Sequence, residues 1–257
     1  MLTPRRSIYL MLVIVMSAVL ASGCTSLTTV PPDVNDPPGT TPAVSTLRGV
    51  INFNGIEGYT PPAAVHIGDH KVITDNGQFT VTGLEAGQYT VRVTADHFHP
   101  YEGIVTINSE SLMLEVNLQL SFTPEEMDLF ARLVYAEAAG EPVLGQIAVA
   151  ASVLNRLADP RYPDTLEEVI MQKVWVGGKA YYQYSPVLDG RIWELNPETM
   201  PEAYAASLRA IYAAIAGQDP SLGATGFYNP DKVPPDPNLW VRQQTPTVKI
   251  GNHQFFL

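Results

Sequence analysis

Several features that often define a protein class are scarce in this sequence. Its 257 residues include one cysteine, Cys24. A lone cysteine cannot form an internal disulfide, so disulfides are excluded as a source of stability. Basic residues are also few: 15 lysines and arginines stand against 26 aspartates and glutamates, for a formal net charge of −11 at pH 7. This acidic balance argues against nucleic acids and other polyanions as partners.

Metal-binding patterns are missing as well. The five histidines include no H-E-x-x-H pair, which is the helical arrangement that zinc peptidases use. Four of the five lie before residue 100, in a part of the chain that is not helical in pattern. The sequence therefore predicts no metal site and no cofactor.

The main hydrophobic run, residues 8–20, is short and follows Arg5 and Arg6. A membrane-spanning helix needs roughly 20 apolar residues, more than this run provides. A charged start, a short apolar core and small residues before a cleavage point are typical of a secretory signal. We predict a signal peptide over residues 1–23 and export of the remainder.

The end of this run resembles the lipobox of bacterial lipoproteins. Its residues are Leu20, Ala21, Ser22, Gly23 and Cys24. The resemblance implies that Cys24 becomes a lipidated N-terminus, which would anchor the protein to the outer face of a bacterial membrane; an ordinary secretory signal is the alternative. Cleavage would remove two arginines and no acids, moving the net charge from −11 to about −13. Residues 24–45, rich in proline and threonine, are predicted to form a tether.

Residues 46–120 alternate between apolar and polar side chains, as half-buried strands do. About seven short strands with intervening turn residues predict a small antiparallel β-sandwich. The segment from Thr74 to Val91 resembles the carboxypeptidase regulatory-like domain, which is a transthyretin-like sandwich. That resemblance implies a non-catalytic accessory role for this part of the chain.

From residue 121 the pattern becomes mostly helical. Thr123 is a typical N-cap, Pro124 suits the first helical position, and Glu126 completes a capping box. The apolar spacing predicts helices over residues 124–138, 143–157, 165–172 and 201–216, followed by short extended segments. We therefore predict an α+β domain over residues 121–257, large enough to bury its own core.

Glu137 is the candidate catalytic residue in this domain. It follows Phe130, Leu133 and Val134 at helical spacing, so it falls on the core-facing stripe of the first predicted helix. Burial disfavours the charged form of a carboxyl and raises its pKa. A carboxyl that stays protonated near neutral pH can act as the general acid in glycoside cleavage. A core glutamate paired with an arginine or an amide is the alternative. Glu141 follows Gly140, the expected end of the helix, and is not expected to share this role.

This second domain resembles the SleB-type cell-wall hydrolases, the spore cortex-lytic enzymes. The matching blocks are residues 133–142, 145–156, 162–165, 183–187, 217–220 with Ala210, 226–230, and 250–253 with Phe255. The resemblance implies a lysozyme-like or lytic-transglycosylase-like fold that acts on peptidoglycan glycan strands, with Glu137 as catalytic acid. Two positions depart from the family pattern: Ala139 stands where arginine is common, and Tyr184 where phenylalanine is usual.

Other residues of these blocks are candidates for substrate binding. The polar ones, whose side chains suit hydrogen bonds to hydroxyl and N-acetyl groups, are Gln183, Ser185, Tyr228, Asn229 and His253. The aromatic ones, which offer flat faces for sugar rings, are Tyr181, Tyr182, Trp193 and Trp240.

Three functions are compatible with the sequence. The favoured one is a lytic transglycosylase or muramidase that cuts glycan strands in the spore cortex or in cell-wall remodelling. By resemblance, a lytic transglycosylase works with one glutamate because the sugar supplies its own nucleophile. The alternatives are an N-acetylmuramoyl-L-alanine amidase and a non-catalytic wall-binding lipoprotein.

Overall fold

The architecture was established from a computed structural model of the chain. The structure describes residues 45–74, 76–108 and 112–257. The predicted signal peptide, Cys24 and residues 24–44 of the predicted tether lie outside the described residues.

Seven strands form two sheets in the first part of the described chain. The strands are β1 (Ser45–Asn54), β2 (Ala64–Ile67), β3 (His70–Ile73), β4 (Gln78–Leu84), β5 (Gly87–Thr94), β6 (Tyr101–Ile107) and β7 (Leu112–Gln119). One sheet has the strand order β4-β1-β7 and the other β3-β2-β5-β6. Alternate residues, such as Phe79 and Val81 in β4 or Val91 and Val93 in β5, are buried between the sheets. The period-two pattern therefore correctly indicated which faces meet.

The expectation of a purely antiparallel sandwich was wrong at one strand pair. β1 and β7 run parallel, with Leu47 opposite Leu112 and Asn54 opposite Gln119. The intervening strands β2 to β6 make the long connection that a parallel pair requires. Alternation along a strand is the same in both orientations, so the sequence pattern did not distinguish them.

Helices dominate the second part of the chain. They are α1 (Pro124–Ala138), α2 (Val143–Ala158), α3 (Leu166–Ile170), α4 (Ser185–Asp189) and α5 (Pro201–Ile215). The predicted capping box starts α1: the Glu126 amide donates to the Thr123 hydroxyl at 3.2 Å, and the Thr123 amide donates to the Glu126 carboxylate at 2.9 Å. The predicted helices at 124–138, 143–157 and 201–216 thus agree with the structure to within a residue at each end.

Five short strands complete this part. β8 (Lys173–Val176) and β9 (Lys179–Tyr182) form a hairpin, while β10 (Gly226–Tyr228), β11 (Pro246–Ile250) and β12 (His253–Phe256) form a sheet of order β10-β12-β11. The hairpin and α4 were not predicted. Both are short, and the hairpin turns through Gly177 and Gly178, whose φ angles of 56° and 80° favour glycine.

The core of the helical part lies where α1, α2 and α5 meet. Phe130, Leu133 and Val134 of α1 are completely buried there. The small residues Ala150 and Ala151 on α2 are buried as well and permit close packing. Behind α2, Phe255 of β12 packs against Val149. The end of α1 is thereby fixed between a helical core and a small sheet.

The two parts of the described chain contact each other directly. The backbone amide and hydroxyl of Ser121 both donate to the carbonyl oxygen of His97 at 2.8 Å. The rings of Tyr59 and Tyr212 lie 6.1 Å apart in an edge-to-face arrangement, and the Tyr212 hydroxyl bonds the Glu57 carboxylate. Residues from both parts belong to one continuous cluster of buried side chains. Among the described residues, no helix combines the length and the apolarity needed to cross a membrane.

Candidate active site

A cleft of about 360 Å³ lies in the helical part, at the end of α1. Its walls come from α1, α2, α4, β10 and β12, with the segments that follow β9, α4 and β10. Six predicted site residues line it, although they are spread over the whole domain: Glu137, Gln183, Ser185, Tyr228, Asn229 and His253. The structure thus brings together the predicted catalytic residue and all five predicted polar binding residues.

Glu137 is the acidic residue of this wall. It lies in the last turn of α1, next to the completely buried stripe formed by Phe130, Leu133 and Val134. Burial raises the pKa of Glu137 from its ordinary value of 4.5 to about 7, against the opposing charge of Arg191. Near neutral pH a large fraction of this carboxyl is therefore protonated.

Four charged groups surround Glu137 at longer range. Arg191, Arg156 and Lys232 act to lower its pKa, while Asp189 acts to raise it. In the described part of the chain, no cation forms an ion pair with Glu137 within 4.0 Å. The arginine form of the alternative interpretation, a core glutamate paired with an arginine, requires such a pair, so the geometry disfavours it.

Arg191 joins α4 to the end of α1. Its Nε donates to the Asp189 carboxylate at 2.9 Å, and its Nη atoms contact Ser185 Oγ at 3.3 Å and the Ala136 carbonyl at 3.4 Å. The hydrogen bonds from Arg191 hold the pKa of Asp189 below its ordinary value. Asp189 is therefore a paired carboxylate and not a second acid.

Arg156 forms the floor of the cleft from the last turn of α2. Its side chain is buried, its Nε donates to the Thr225 carbonyl, and its guanidinium lies 5.2 Å from the ring centre of Tyr162 and 4.8 Å from that of Tyr184. Its Nη1 has no hydrogen-bond partner in the described part of the chain. An unpaired buried donor costs about 1–3 kcal/mol, and Arg156 is one of the residues that line the cleft.

Two further buried polar atoms in the cleft wall lack partners within the described ranges. They are the hydroxyl of Tyr184 and Nδ1 of His253, whose side chains are 2% and 8% exposed. Burial raises the pKa of Tyr184 to about 12. Burial also lowers the pKa of His253, and Lys232 acts in the same direction. Both side chains are therefore uncharged near neutral pH.

Glu141 lies outside the cleft lining. Its carboxylate accepts hydrogen bonds from the backbone amide and the side-chain amide of Asn252, each at 2.9 Å. Burial acts to raise the pKa of Glu141, but these two bonds hold it below its ordinary value. Gly251 has a φ of 55°, and any side chain on it would collide with the Glu141 carboxylate. The ionised carboxylate of Glu141 thus stabilises the turn before β12.

The predicted aromatic platforms are not part of the cleft wall. Trp193 is 59% exposed and stacks near Arg132 on the outer side of α1. Trp240 is 64% exposed and packs edge-on against Phe256, while Tyr181 lies exposed on the β8–β9 hairpin. Conversely, sequence reasoning assigned no role in the cleft to Arg156, Arg191 or Lys232. The one signal for them was that Arg156 lies in a block shared with the SleB-type hydrolases.

Comparison with protein families identifies the domain that holds most of this cleft. Residues 140–256 match the family described as Cell Wall Hydrolase. This part of the chain therefore resembles a cell wall hydrolase domain. The resemblance expected from the sequence is therefore confirmed over this range. Glu137 lies three residues before the matched range, at the end of α1.

Curated proteins similar to this part of the chain are spore cortex-lytic enzymes. The chain is 36% identical to the enzyme of Halalkalibacterium halodurans over 139 residues, which cover 54% of this chain and 37% of that protein. It is 36% identical to the Bacillus subtilis enzyme over 139 residues, covering 54% of this chain and 40% of that protein. The chain thus spans less than half the length of these relatives.

One solved structure also matches this part of the chain. The catalytic domain of the germination-specific lytic transglycosylase SleB from Bacillus anthracis is 31% identical, with a TM-score of 0.43. The match covers 53% of this chain and 97% of that domain. The β-sandwich part of this chain lies outside the family match.

Proposed function

We propose that this protein cleaves the glycan strands of peptidoglycan, with Glu137 as the single catalytic acid. One observation carries the proposal: a carboxyl with a pKa of about 7 lines an open cleft next to a cell wall hydrolase domain. The curated relatives named above are spore cortex-lytic enzymes, which supports peptidoglycan as the substrate. The proposed substrate is the peptidoglycan of the spore cortex or of a cell wall that is being remodelled.

The chemistry needs one proton donor that becomes a proton acceptor. Glu137 donates its proton to the glycosidic oxygen as the bond to the anomeric carbon breaks. The resulting carboxylate takes a proton from the attacking hydroxyl, which bonds to the anomeric carbon. Attack by water makes the enzyme a muramidase, and attack by the muramoyl C6 hydroxyl makes it a lytic transglycosylase.

The other nearby carboxylates do not suit the role of a second catalytic acid. Asp189 is paired with Arg191, and Glu141 accepts two hydrogen bonds from Asn252. Both pKa values are lowered, so both groups are ionised near neutral pH. This favours a mechanism in which one glutamate serves as acid and then as base.

The remaining cleft residues are proposed to hold the sugar. Gln183 and Ser185 approach from the segment around the start of α4, and Tyr228 and Asn229 from the end of β10. Amide and hydroxyl groups can donate to and accept from sugar hydroxyls and N-acetyl groups. His253, uncharged near neutral pH, offers a further donor or acceptor.

The two alternative functions have weaker support. An amidase of the zinc-dependent type needs several metal ligands, whereas His253 is the single histidine of the cleft lining. A purely wall-binding protein has no use for a carboxyl whose pKa is raised to about 7. The exposed Ala139, where an arginine is common by resemblance, lies beside the cleft and not in its lining.

We also propose an arrangement for the rest of the chain. Lipidation at Cys24 would anchor the protein to the outer face of a membrane, and residues 24–45 would separate the folded part from the lipid. The sandwich over residues 46–120 would act as a transthyretin-like accessory domain. Its direct contacts with the helical part suggest that it supports the orientation of the cleft towards the wall.

The experiment that tests the function is digestion of purified sacculi by the full-length protein. Clearing of turbidity reports cleavage, and the masses of the soluble products identify the bond. Transglycosylation leaves anhydromuramic ends, hydrolysis leaves reducing muramic ends, and an amidase releases stem peptides. A Glu137→Gln variant that clears sacculi as fast as the wild type would refute the proposed role of Glu137.

A further inference from the structure

The Tyr184 hydroxyl is a polar group without an evident structural purpose. The side chain is 2% exposed, and its Oη has no hydrogen-bond partner in the part of the chain that the structure describes. A phenylalanine at this position, which the family resemblance makes usual, would fill nearly the same volume without leaving a polar group unpaired. A buried hydroxyl retained at such a position calls for an explanation.

The neighbours of this hydroxyl restrict what it can bind. Three ionisable groups lie within electrostatic reach of the phenol: Arg156, Glu137 and Tyr162. Arg156 stacks at 4.8 Å from the ring centre and carries donors alone. The Tyr162 hydroxyl already bonds Thr225 Oγ1 at 3.1 Å. Of these groups, Glu137 is the one that becomes an anion near neutral pH and is then the strongest acceptor, and it lines the same cleft as Tyr184.

We propose that Tyr184 is a positioning residue whose hydroxyl donates a hydrogen bond to Glu137 when that carboxyl is ionised. The inference rests on the proposed role of Glu137 as the catalytic acid. While Glu137 is protonated, its proton is directed to the glycosidic oxygen and the Tyr184 hydroxyl is unpaired. Once the proton has moved to the leaving oxygen and the glycosidic bond has broken, a carboxylate remains in a poorly hydrated wall. Tyr184 stabilises it until it takes a proton from the attacking hydroxyl.

The charged groups around Glu137 do not duplicate this role. Arg191 is bound to Asp189, and Lys232 is exposed on the cleft rim. Arg156 is fixed by the Thr225 carbonyl and by stacking on two rings. These groups contribute charge at a distance, whereas Tyr184 contributes a directional donor. Burial keeps its pKa at about 12, so the hydroxyl retains its proton throughout the working pH range.

The test is a Tyr184→Phe variant of the full-length protein with two readouts. The first is the titration of the Glu137 side-chain carboxyl by carbon NMR, assigned with a Glu137→Gln spectrum. The second is the pH at which glycan cleavage falls to half on the alkaline side. Loss of a donor to the carboxylate favours the protonated form, so both midpoints should rise by about half to one pH unit.

Tyr162→Phe is the matched control, because this tyrosine also stacks on Arg156 but uses its hydroxyl on Thr225. Its Glu137 midpoint should stay within about 0.2 pH units of the wild type. A Glu137 midpoint that is unchanged or lowered in Tyr184→Phe would overturn the inference. If the wild type cuts no glycan, the proposed function fails, while the NMR titration still decides whether Tyr184 serves the carboxylate.

Discussion

Replacing Glu137 by glutamine should remove a pH-dependent cost to folding as well as the catalytic proton. In the folded chain the pKa of Glu137 is about 7, against an ordinary value of 4.5. Between these two pH values the folded state keeps a proton that the unfolded state has lost. The free energy of unfolding therefore falls as pH rises from 4.5 to 7, and the loss is complete above pH 7.

The size of this effect follows from the shift in pKa. A difference of one pH unit corresponds to 1.36 kcal/mol, so the shift from 4.5 to about 7 amounts to about 3 kcal/mol. Because part of the carboxyl faces the cleft, we treat this as an upper bound. The glutamine variant has nearly the same shape and no charge to desolvate. It should match the wild type near pH 4 and be more stable by about 2–3 kcal/mol at pH 8.

Urea unfolding of both proteins at 25 °C, in steps from pH 4 to pH 8, measures this difference. Thermal unfolding should show the same trend, with the variant melting roughly 5–10 °C higher at pH 8. Glu198→Gln, at an exposed glutamate, is the control. Its free energy of unfolding should differ from that of the wild type by the same amount at every pH. Parallel stability curves for wild type and Glu137→Gln would refute the claim that Glu137 is a desolvated carboxyl. Glycan cleavage by the variant should fall at least about a hundredfold.

Three further predictions concern residues outside the cleft wall. Glu141→Gln should keep most activity but lose about 1 kcal/mol of stability above pH 5, because the ionised Glu141 carboxylate of the wild type accepts two hydrogen bonds from Asn252. Equal stability of wild type and variant in urea at pH 7 would contradict this. Ala139→Arg should lower the alkaline midpoint of cleavage by a few tenths of a pH unit, since a cation near Glu137 favours its carboxylate; Ala139→Gln, which should not move the midpoint, is the control. Cys24→Ser should abolish labelling by a fatty-acid analogue and release the protein from membranes, whereas a labelled serine variant would exclude lipidation at Cys24.

Much of the fold was predictable because local signals agreed with it. The capping box at Thr123 and Glu126 fixed the start of α1, and the apolar stripe through Phe130, Leu133 and Val134 fixed its buried face. The alternation of apolar and polar residues indicated where the seven strands of the sandwich lie. The parallel pairing of β1 with β7 was missed because a strand pattern carries no information on direction. The β8–β9 hairpin was missed because its strands have four residues each and none of their described side chains is buried.

The candidate site could be predicted only in part, for a physical reason that Arg156 illustrates. From the sequence, Arg156 follows Asn155 near the end of a helix, where a basic residue commonly faces solvent and the helix dipole. In the structure it is 6% exposed, enclosed by two tyrosine rings and bonded to a carbonyl 69 residues away. Whether a helix end is buried depends on what the later chain places over it. Local pattern was therefore sufficient to predict that Glu137 lies on the buried side of its helix, whereas the charged groups that act on its pKa are placed by contacts that only the folded chain defines.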